Sequence, residues 1–573
     1  MKQIAIKGKM QIFLVQIKHK FVQKVVDSII IPKKKLNSFF SSKYYYYFLF
    51  FCISFIFFQN SSKVFGQSSI KTADSTKGVL TGSVQVEFQK YVDDNSFIYK
   101  GLEKKYGLNS YANLLYRKKK FSAGARFEGY FPPLLAYPQN LDGYGLVNRF
   151  INYRNSKIDF TVGHFYQQFG NGLLLRSQEQ RFLGMDTSID GLNFKYRPSA
   201  NYQFTILGGK QRLGFKHADG WLWGLDNQFN INQLTQNNND NISFGLSYVH
   251  KYEPYSGILN TINPSVFGLG GRLNYQINNF GLNTEFVVKS VDASPINRYV
   301  INHGNGIFIS SNLDLPKVSF AWQFKRIDNM DFRSQRTESL NNALINYIPA
   351  TTKQHAYRLL TLYPYASQVL GEIGGQFDMI YALNKHSTIS LNFSKLHGLN
   401  KAFTTENQYK ASLLGFGEKY YQDLNIEYEN KWSKSFKSNI LFIWLNFNKG
   451  QILGGKQEMV ESFTFVFDGV YRISRKNTLR LDFQHLNTKQ DLGNWAYGLL
   501  EYGFAPKYFF FVSDEWNYSK SKHYANIGAA MNHSKGRITL SYGNQREGLL
   551  CVGGICRITP AYKGFSLSSN VSF

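Results

Sequence analysis

Near the end of the chain, the stretch GLLCVGGICRITPAY brings Cys551 and Cys556 within five positions of each other. A zinc site would need further Cys or His at set spacing, and none is nearby. In an exported, oxidising compartment the pair reads as a disulfide, with Gly553 and Gly554 supplying the tight turn of a small ring. A second unusual stretch is GHFYQQFGNGLLLRSQEQRFLGMDTSIDG, Gly163 to Gly191. Its Phe-Gly-Asn-Gly is a turn and not a phosphate cradle, because no Lys-Ser/Thr follows at Walker spacing. The run LLLRSQEQRFL is too apolar for a solvated loop. It admits two placements: folded into a lumen with Arg176 or Arg181 projecting into a pore, or packed on a rim. His164 falls on an apolar parity at a strand end and reads as an interfacial side chain.

A third stretch, residues 327–374, is too long for an ordinary connection and suggests a lid, a plug or a binding surface. It is expected to include a short helix before Pro349. His355 and Glu372 are its titratable residues of interest, with solvated loop positions as the default for both. The sequence contains no His-Glu-x-x-His, Gly-x-Ser-x-Gly or Walker A motif. No catalytic residue, metal ligand or cofactor is expected. An enzyme ranks third among the functional readings, because a triad is recognised by geometry and not by sequence position.

The elements that must position these residues are strands. The 573 residues include 38 Tyr and 50 Phe against 13 Pro, a composition suited to pleated surfaces. Aromatics make up 17% of the chain and charged residues 18%, and mean hydropathy is -0.31. The formal charge of +28 overstates the basic character: residues 1–66 hold 11 Lys and a single acid, and without them 55 basic and 37 acidic residues remain. The bases are scattered singly and do not form one face, so nucleic acid is not an expected partner.

Lys33, Lys34, Lys35 and Lys43 precede YYYYFLFFCISFIFF, and QNSSKVFGQ follows. That order describes a secretory signal peptide, shorter than the ~20 residues of a spanning helix. Cleavage is expected between Gly66 and Gln67. Residues 1–66 read as leader, with 1–32 attributable to a start assigned too far upstream. Residues 67–78 read as a short periplasmic segment and 79–573 as the body.

Within that body, TISLNFS, NTLRLDFQ and KVSFAWQFK alternate apolar and polar residues, the period of a half-buried strand. The segments run to ~10 residues, enough for a tilted strand to cross a hydrocarbon core. Aromatics gather near their ends, as in FIWLNFN and WAYGLLEYGF, where interfacial girdles lie. Eleven short turns, from RKKKF to NHSKG, alternate with twelve longer connections, among them 166–189, 212–220, 327–374 and 397–419. That arithmetic predicts an all-β, antiparallel transmembrane barrel of about 24 strands (22–26), with short periplasmic turns and long extracellular loops. The final KGFSLSSNVSF would pair with LTGSVQVEFQKY to close the cylinder, with Phe573 at the periplasmic interface as the signal for outer-membrane assembly machinery.

Three motif groups carry a resemblance: the Gly163–Gly191 stretch; IPATTKQHAYRLL with YPYASQVLGEIGG; and CVGGICRITPAYKGFSLSSNVSF. Together they resemble an uncharacterised family of Bacteroidota outer-membrane β-barrel proteins, a domain of unknown function, over nearly all of the chain after the leader. The matching positions are Phe165, Tyr166, Phe169, Gly170, Gly172, Leu174, Arg176, Gly184 and Asp186; then Pro349, Gln354, His355, Tyr357, Tyr363, Pro364, Tyr365, Gly371 and Glu372; and finally Cys551, Gly553, Gly554 and Cys556. The resemblance implies fold and location, a bacterial outer membrane, and adds nothing on activity.

The first functional reading is a porin-like or gated conduit, or the membrane part of a surface transport or secretion assembly. An inner face including Gln85, Glu87, Arg480, Asp482 and Gln484 would carry it. The alternative is a structural barrel that displays loops to other surface proteins without transport. Under either, outer-membrane lipid and lipopolysaccharide are the expected surroundings.

Overall fold

Alternation over this many segments has one low-energy outcome in lipid, where every backbone N–H and C=O must find a partner within the protein. The computed structural model shows it, describing residues 77–94, 104–231, 240–254, 262–454 and 459–573. The leader, the Gly66–Gln67 junction and residues 67–76 lie outside the described residues. Twenty-four strands form one sheet, each antiparallel to the next in chain order. The sheet closes because Tyr562–Ser572 pairs with both Gly536–Gln545 and Val79–Tyr91. Closure extends to Phe573, whose N–H donates to Gly82 O while Gly82 N–H donates to Phe573 O. The Phe573 ring lies over Gly82, where a Cβ would meet it at 2.4 Å, so a glycine there seats the aromatic.

The outer wall presents Phe127, Ile151, Val162, Leu192, Leu225, Phe244, Leu269, Phe286, Phe442, Phe463, Leu481, Leu500, Ile527 and Leu540, each large, apolar and exposed. A belt of that size around a cylinder is a lipid-contacting surface and not a soluble one. The protein is an outer-membrane barrel.

Ten of the eleven short turns fall between paired strands as expected, at one end of the barrel; most of TQNNNDN, between Lys216–Asn230 and Asn241–Tyr252, lies outside the described residues. At the other end two connections among the described residues differ from expectation. The segment 212–220 is a two-residue turn, Gly214–Phe215, made possible by the positive φ of Gly214 (+61°). The segment 397–419 is not a loop. Ser387–Thr405 and Gln408–Asn430 continue past the wall as a ribbon, paired down to Thr405 opposite Gln408 with several bulges. The ribbon leans on its neighbours through Tyr409 OH to Asp328 Oδ1 (2.7 Å) and Lys401 Nζ to Leu370 O (2.7 Å). The helix expected before Pro349 is also absent from the structure. The helical turn of that connection comes later, at Leu359–Thr361, because the stretch before Pro349 spends its backbone groups on other loops and on the wall.

Candidate functional site: a lumen filled by two inserted loops

Side chains facing the lumen near the short turns are polar. Asn274, Asn283, Ser310, Asn312 and Gln323 line a recess of about 340 Å³. Towards the other end the same inward parity changes character. In Ser265–Ile277 it runs Val266, Gly268, Gly270, Arg272, with Val266 fully buried. Gly268 and Gly270 leave room for something else, and the segment 166–188 fills it. Leu173, Leu174 and Leu175 are each at most 1% exposed and pack with Val249, Val266, Val287 and Phe308. A Cβ on Gly268 would lie 2.3 Å from Leu174 Cδ1. Of the two placements open from sequence, the run is in the lumen.

The Phe-Gly-Asn-Gly turn makes this reach possible. Gly170 and Gly172 both adopt positive φ, and Gly172 N–H donates to Phe169 O at 2.9 Å. Asn171 then docks five strands further round the wall, on Phe280–Lys289, its backbone N–H on the Glu285 carboxylate and its amide on Asn283 Oδ1 at 2.7 Å. The returning chain is held by a buried charge cluster. Asp186 accepts from Arg126 and, at 2.6 Å, from Arg212 Nη1. Glu128 on the wall bonds both arginines, at 3.0 and 2.6 Å, and Glu179 meets Arg126 Nη1 at 2.8 Å. Burial alone would raise the Asp186 carboxyl, but Arg212, Arg126 and the Ser188 amide hold it below the usual carboxylate range.

The connection 329–370 is the second insertion, and it straddles the lumen as two legs. The first leg pairs with the other loop: Arg176 N–H donates to Ile345 O (2.8 Å) and Tyr347 N–H to Gly172 O (2.9 Å). It meets the wall through Gly220 N–H to Ser334 O (2.9 Å) and through Arg336. Arg336 Nε lies 2.7 Å from Asp292 Oδ1 and its Nη1 3.2 Å from Glu253 Oε2, while Lys251 bridges the same two acids at 2.9 and 3.2 Å. Burial alone would raise Asp292; Lys251, Lys289 and Arg336 hold it down. The second leg turns to the opposite wall. Leu359 N–H donates to Gln484 Oε1 (2.8 Å), Arg358 Nε pairs with Glu515 (2.6 Å), and Lys353 with Glu427 (2.7 Å). Its Leu359, Tyr363 and Tyr365 pack on Leu396, Tyr421, Phe447 and Trp495.

The sequence-selected residues fall as follows. Arg176 does not project into a pore: its guanidinium stacks 4.0 Å over the Tyr347 ring of the other insertion. Arg181 faces the wall of the first strands, with Nη1 on Gln85 Oε1 at 2.9 Å and Nε on Glu179 at 2.6 Å. Glu372 is not a solvated loop residue; it is fully buried at a strand start, 2.7 Å from Lys325 Nζ, and it accepts from Tyr365 OH. His355 belongs to the second leg and lies among Lys353, Glu427 and Asn425, where burial, then the Lys353 charge, brings its imidazole down to about 4. Cys551 and Cys556 are bonded across a small hairpin, Gly548–Val552 with Ile555–Thr559. Gly553 and Gly554 both take positive φ at its tip. That tip caps the lid: Tyr347 OH donates to Gly553 O (2.7 Å) and Ser367 N–H to Gly554 O (3.0 Å). His164 has the outward parity expected of it, but it is buried and not simply interfacial, turned onto Asp190 and His217.

Sequence reasoning missed the wall half of these contacts: Arg126, Glu128, Arg212, Glu253 and Asp292. The available signal was a charge on the lumen-facing parity near a long loop. Glu128, Glu179 and Asp186 also cluster closely enough to suggest a cation, but Arg126 and Arg212 already occupy that position.

This is a large outer-membrane β-barrel whose lumen is filled, at the end carrying the long loops, by segments of its own chain. The chain belongs to the family of unknown function DUF6029, whose model matches residues 42–573. No curated protein matches it. Similar solved structures include the siderophore receptor PirA from Pseudomonas aeruginosa, at 9% identity over 87% of this chain and 81% of that one, TM-score 0.39. Acinetobacter baumannii OccAB3 is 11% identical over 87% and 99%, TM-score 0.36. The P pilus usher PapC translocation pore is 8% identical over 86% and 99%, TM-score 0.41. At such scores the likeness decides nothing, and closure rests on the barrel's own strand pairing.

Proposed function

We propose that this protein is a gated conduit for polar solutes, shut by its two inserted loops. The observation that carries the reading is how the lumen is filled. Its plug is chain from outside the wall, held by separable ion pairs and a glycine-floored socket, above an inner wall that stays amide-rich and open. Barrels of this width leave an aqueous path unless something fills them. Beside the second leg a further recess of about 580 Å³ borders the seam strands and is lined by Glu87, His355, Arg358, Arg546, Arg557 and Tyr562. A path along the seam would meet mixed charge and tyrosine, suited to polar and not greasy cargo. Catalysis forms no part of the proposal. Lipopolysaccharide around the outer rim and the assembly machinery at the Phe573 strand are its proposed partners.

Planar-bilayer recordings test it. The intact protein should show small or rare openings, and deletion of 166–188 should give large, long-lived steps. Silence in both, with the deletion variant folded, would overturn the reading. The ribbon above the wall favours a second reading, display without transport. It exposes Phe403, Leu413, Leu414 and Phe416 at 58–67% of their surface, an apolar tip suited to a protein partner. A silent barrel that retains a co-purifying surface protein only while residues 399–416 are present would support that reading instead.

A further inference from the structure

We propose that His164, Asp190 and His217 form a binding site for a divalent transition metal of the zinc class, on the outer wall at the extracellular rim. The three side chains come from Ile158–Phe165, Ile189–Ser199 and Lys216–Asn230. The ladder places His164 opposite Asp190 on the outward parity, and His217 reaches the same carboxylate from two strands away. Asp190 uses one oxygen for each imidazole: Oδ1 lies 3.6 Å from His164 Nδ1 and Oδ2 lies 3.1 Å from His217 Nε2. One donor atom from each residue falls within 4.8 Å of the others. Bonds of 2.0–2.2 Å to a tetrahedral ion separate neighbouring ligand atoms by about 3.3 Å, so both observed spacings suit a shared ion with little movement. Two imidazoles and one carboxylate select zinc, cobalt, nickel or copper over magnesium or calcium.

The setting fits a bound ion better than a bare ion pair. His164 is 5% exposed although its parity faces outward, and its ring stacks near that of His217, with centroids 6.4 Å apart. Two imidazoles on one carboxylate repel when both are protonated, a repulsion that a shared metal removes. His164 Nδ1 also accepts a long hydrogen bond from the Arg149 backbone N–H, at 3.4 Å, which a bound ion would displace. The next outward residues towards the membrane are Val162, Leu192 and, one step beyond the exposed Asp219, Trp221. The site therefore sits just above the apolar belt, at headgroup depth. Its open coordination position faces water or a lipid phosphate, either of which supplies an oxygen ligand.

Two cations border the cluster. Arg149 Nη2 lies 3.3 Å from Asp190 Oδ2, but that side chain is 56% exposed and free to swing away. Lys210 pairs in the ladder with Asp190, and its ammonium is directed over the Trp221 ring at 5.5 Å. Arg149 competes with the metal for one oxygen, which yields a diagnostic: removing it should tighten binding.

The test uses tag-free, detergent-solubilised barrel, titrated with Co²⁺ by visible absorption and with Zn²⁺ by calorimetry. Heat-modifiable gel mobility confirms that each variant is folded. The expected result is one site that the H164A/H217A double variant lacks, weakened at least tenfold in H217A and in D190N, tightened severalfold in R149A, and unaffected by a hundredfold excess of Mg²⁺. Repeating the titration with phosphate-bearing lipopolysaccharide in the micelle separates the sources of the fourth ligand: tighter binding assigns it to the headgroup, and no change assigns it to water. Binding in the folded double variant equal to that in the parent overturns the proposal, as does a D190N variant with parent affinity.

Discussion

Replacing Arg336 by alanine should release the first leg of the lid. Arg336 is 3% exposed; its guanidinium reaches Asp292 at 2.7 Å and Glu253 at 3.2 Å, and its backbone N–H reaches Glu253 Oε1 at 2.8 Å. Lys251 and Arg336 are the cations in direct contact with the two carboxylates, with Lys289 nearby, and the substitution leaves Lys251 as the one cation paired to both. Removing one partner of a buried pair costs about 3–5 kcal/mol, roughly two to three and a half decades in an equilibrium. That cost falls on the docked state only, since an undocked leg leaves both acids in water. A lid shut all but one part in ~10⁴ would then be open from one part in a hundred to a quarter of the time, by the same conversion. Single-channel recording reads the open probability directly, and limited proteolysis within 331–346 reads undocking independently. Arg336→Lys should recover part of the effect, restoring charge without the two-pronged geometry. Wild-type open probability together with wild-type protection in R336A would refute the reasoning, because the ion cluster would then not be what holds the leg.

Gly268→Val should also loosen the plug, since a Cβ there lies 2.3 Å from Leu174 Cδ1; overpacking of this kind costs about 1–3 kcal/mol, visible as protease cleavage within 170–178. Acidification should weaken the second leg through His355. The docked imidazole titrates near 4 and the free one near 6.5, so between them the undocked state binds the extra proton. Docking is therefore complete in this respect above pH ~6.5 and loses up to ~3 kcal/mol as pH falls towards 4; open probability should rise over that window, and H355N should flatten the profile. Reducing the Cys551–Cys556 bond frees a ring worth about 2 kcal/mol of chain entropy, and hydrogen exchange should quicken across 548–559 while barrel strands keep their protection.

The strand count was legible because two independent signals agreed: period-two alternation, and turn residues such as the Asn-Asn of INNF or the Leu-Pro of DLPK. Two connections were misread for a local reason. Gly398, Gly415 and Gly417 broke the alternation and made a bulged ribbon look like a loop, while the residues around Gly214 looked too irregular for a tight turn. The plug was half legible. LLLRSQEQRFL announced that it needed an apolar partner, but nothing in it named the partner. The socket is written far away as Val266, Gly268, Gly270 and Val287, which read as ordinary strand residues until the sheet curls. Charged anchors such as Glu128 and Arg212 were hidden for the same reason: a lumen-facing charge is unremarkable until the loop that meets it is known.

The glycine floor beneath Leu174 also governs what an emptied lumen would be like. Withdraw the leucines and the patch directly beneath them, Val266, Gly268, Gly270 and Val287, offers hydrocarbon and bare backbone, with little for water to grip short of Arg272 and Glu285. A vacated recess of that kind dries readily and draws its occupant back, so the resting condition restores itself without fuel. In the gated conduit proposed above, work would then be needed in one direction only, and whatever pulled the gate ajar would have to keep pulling for as long as passage lasted.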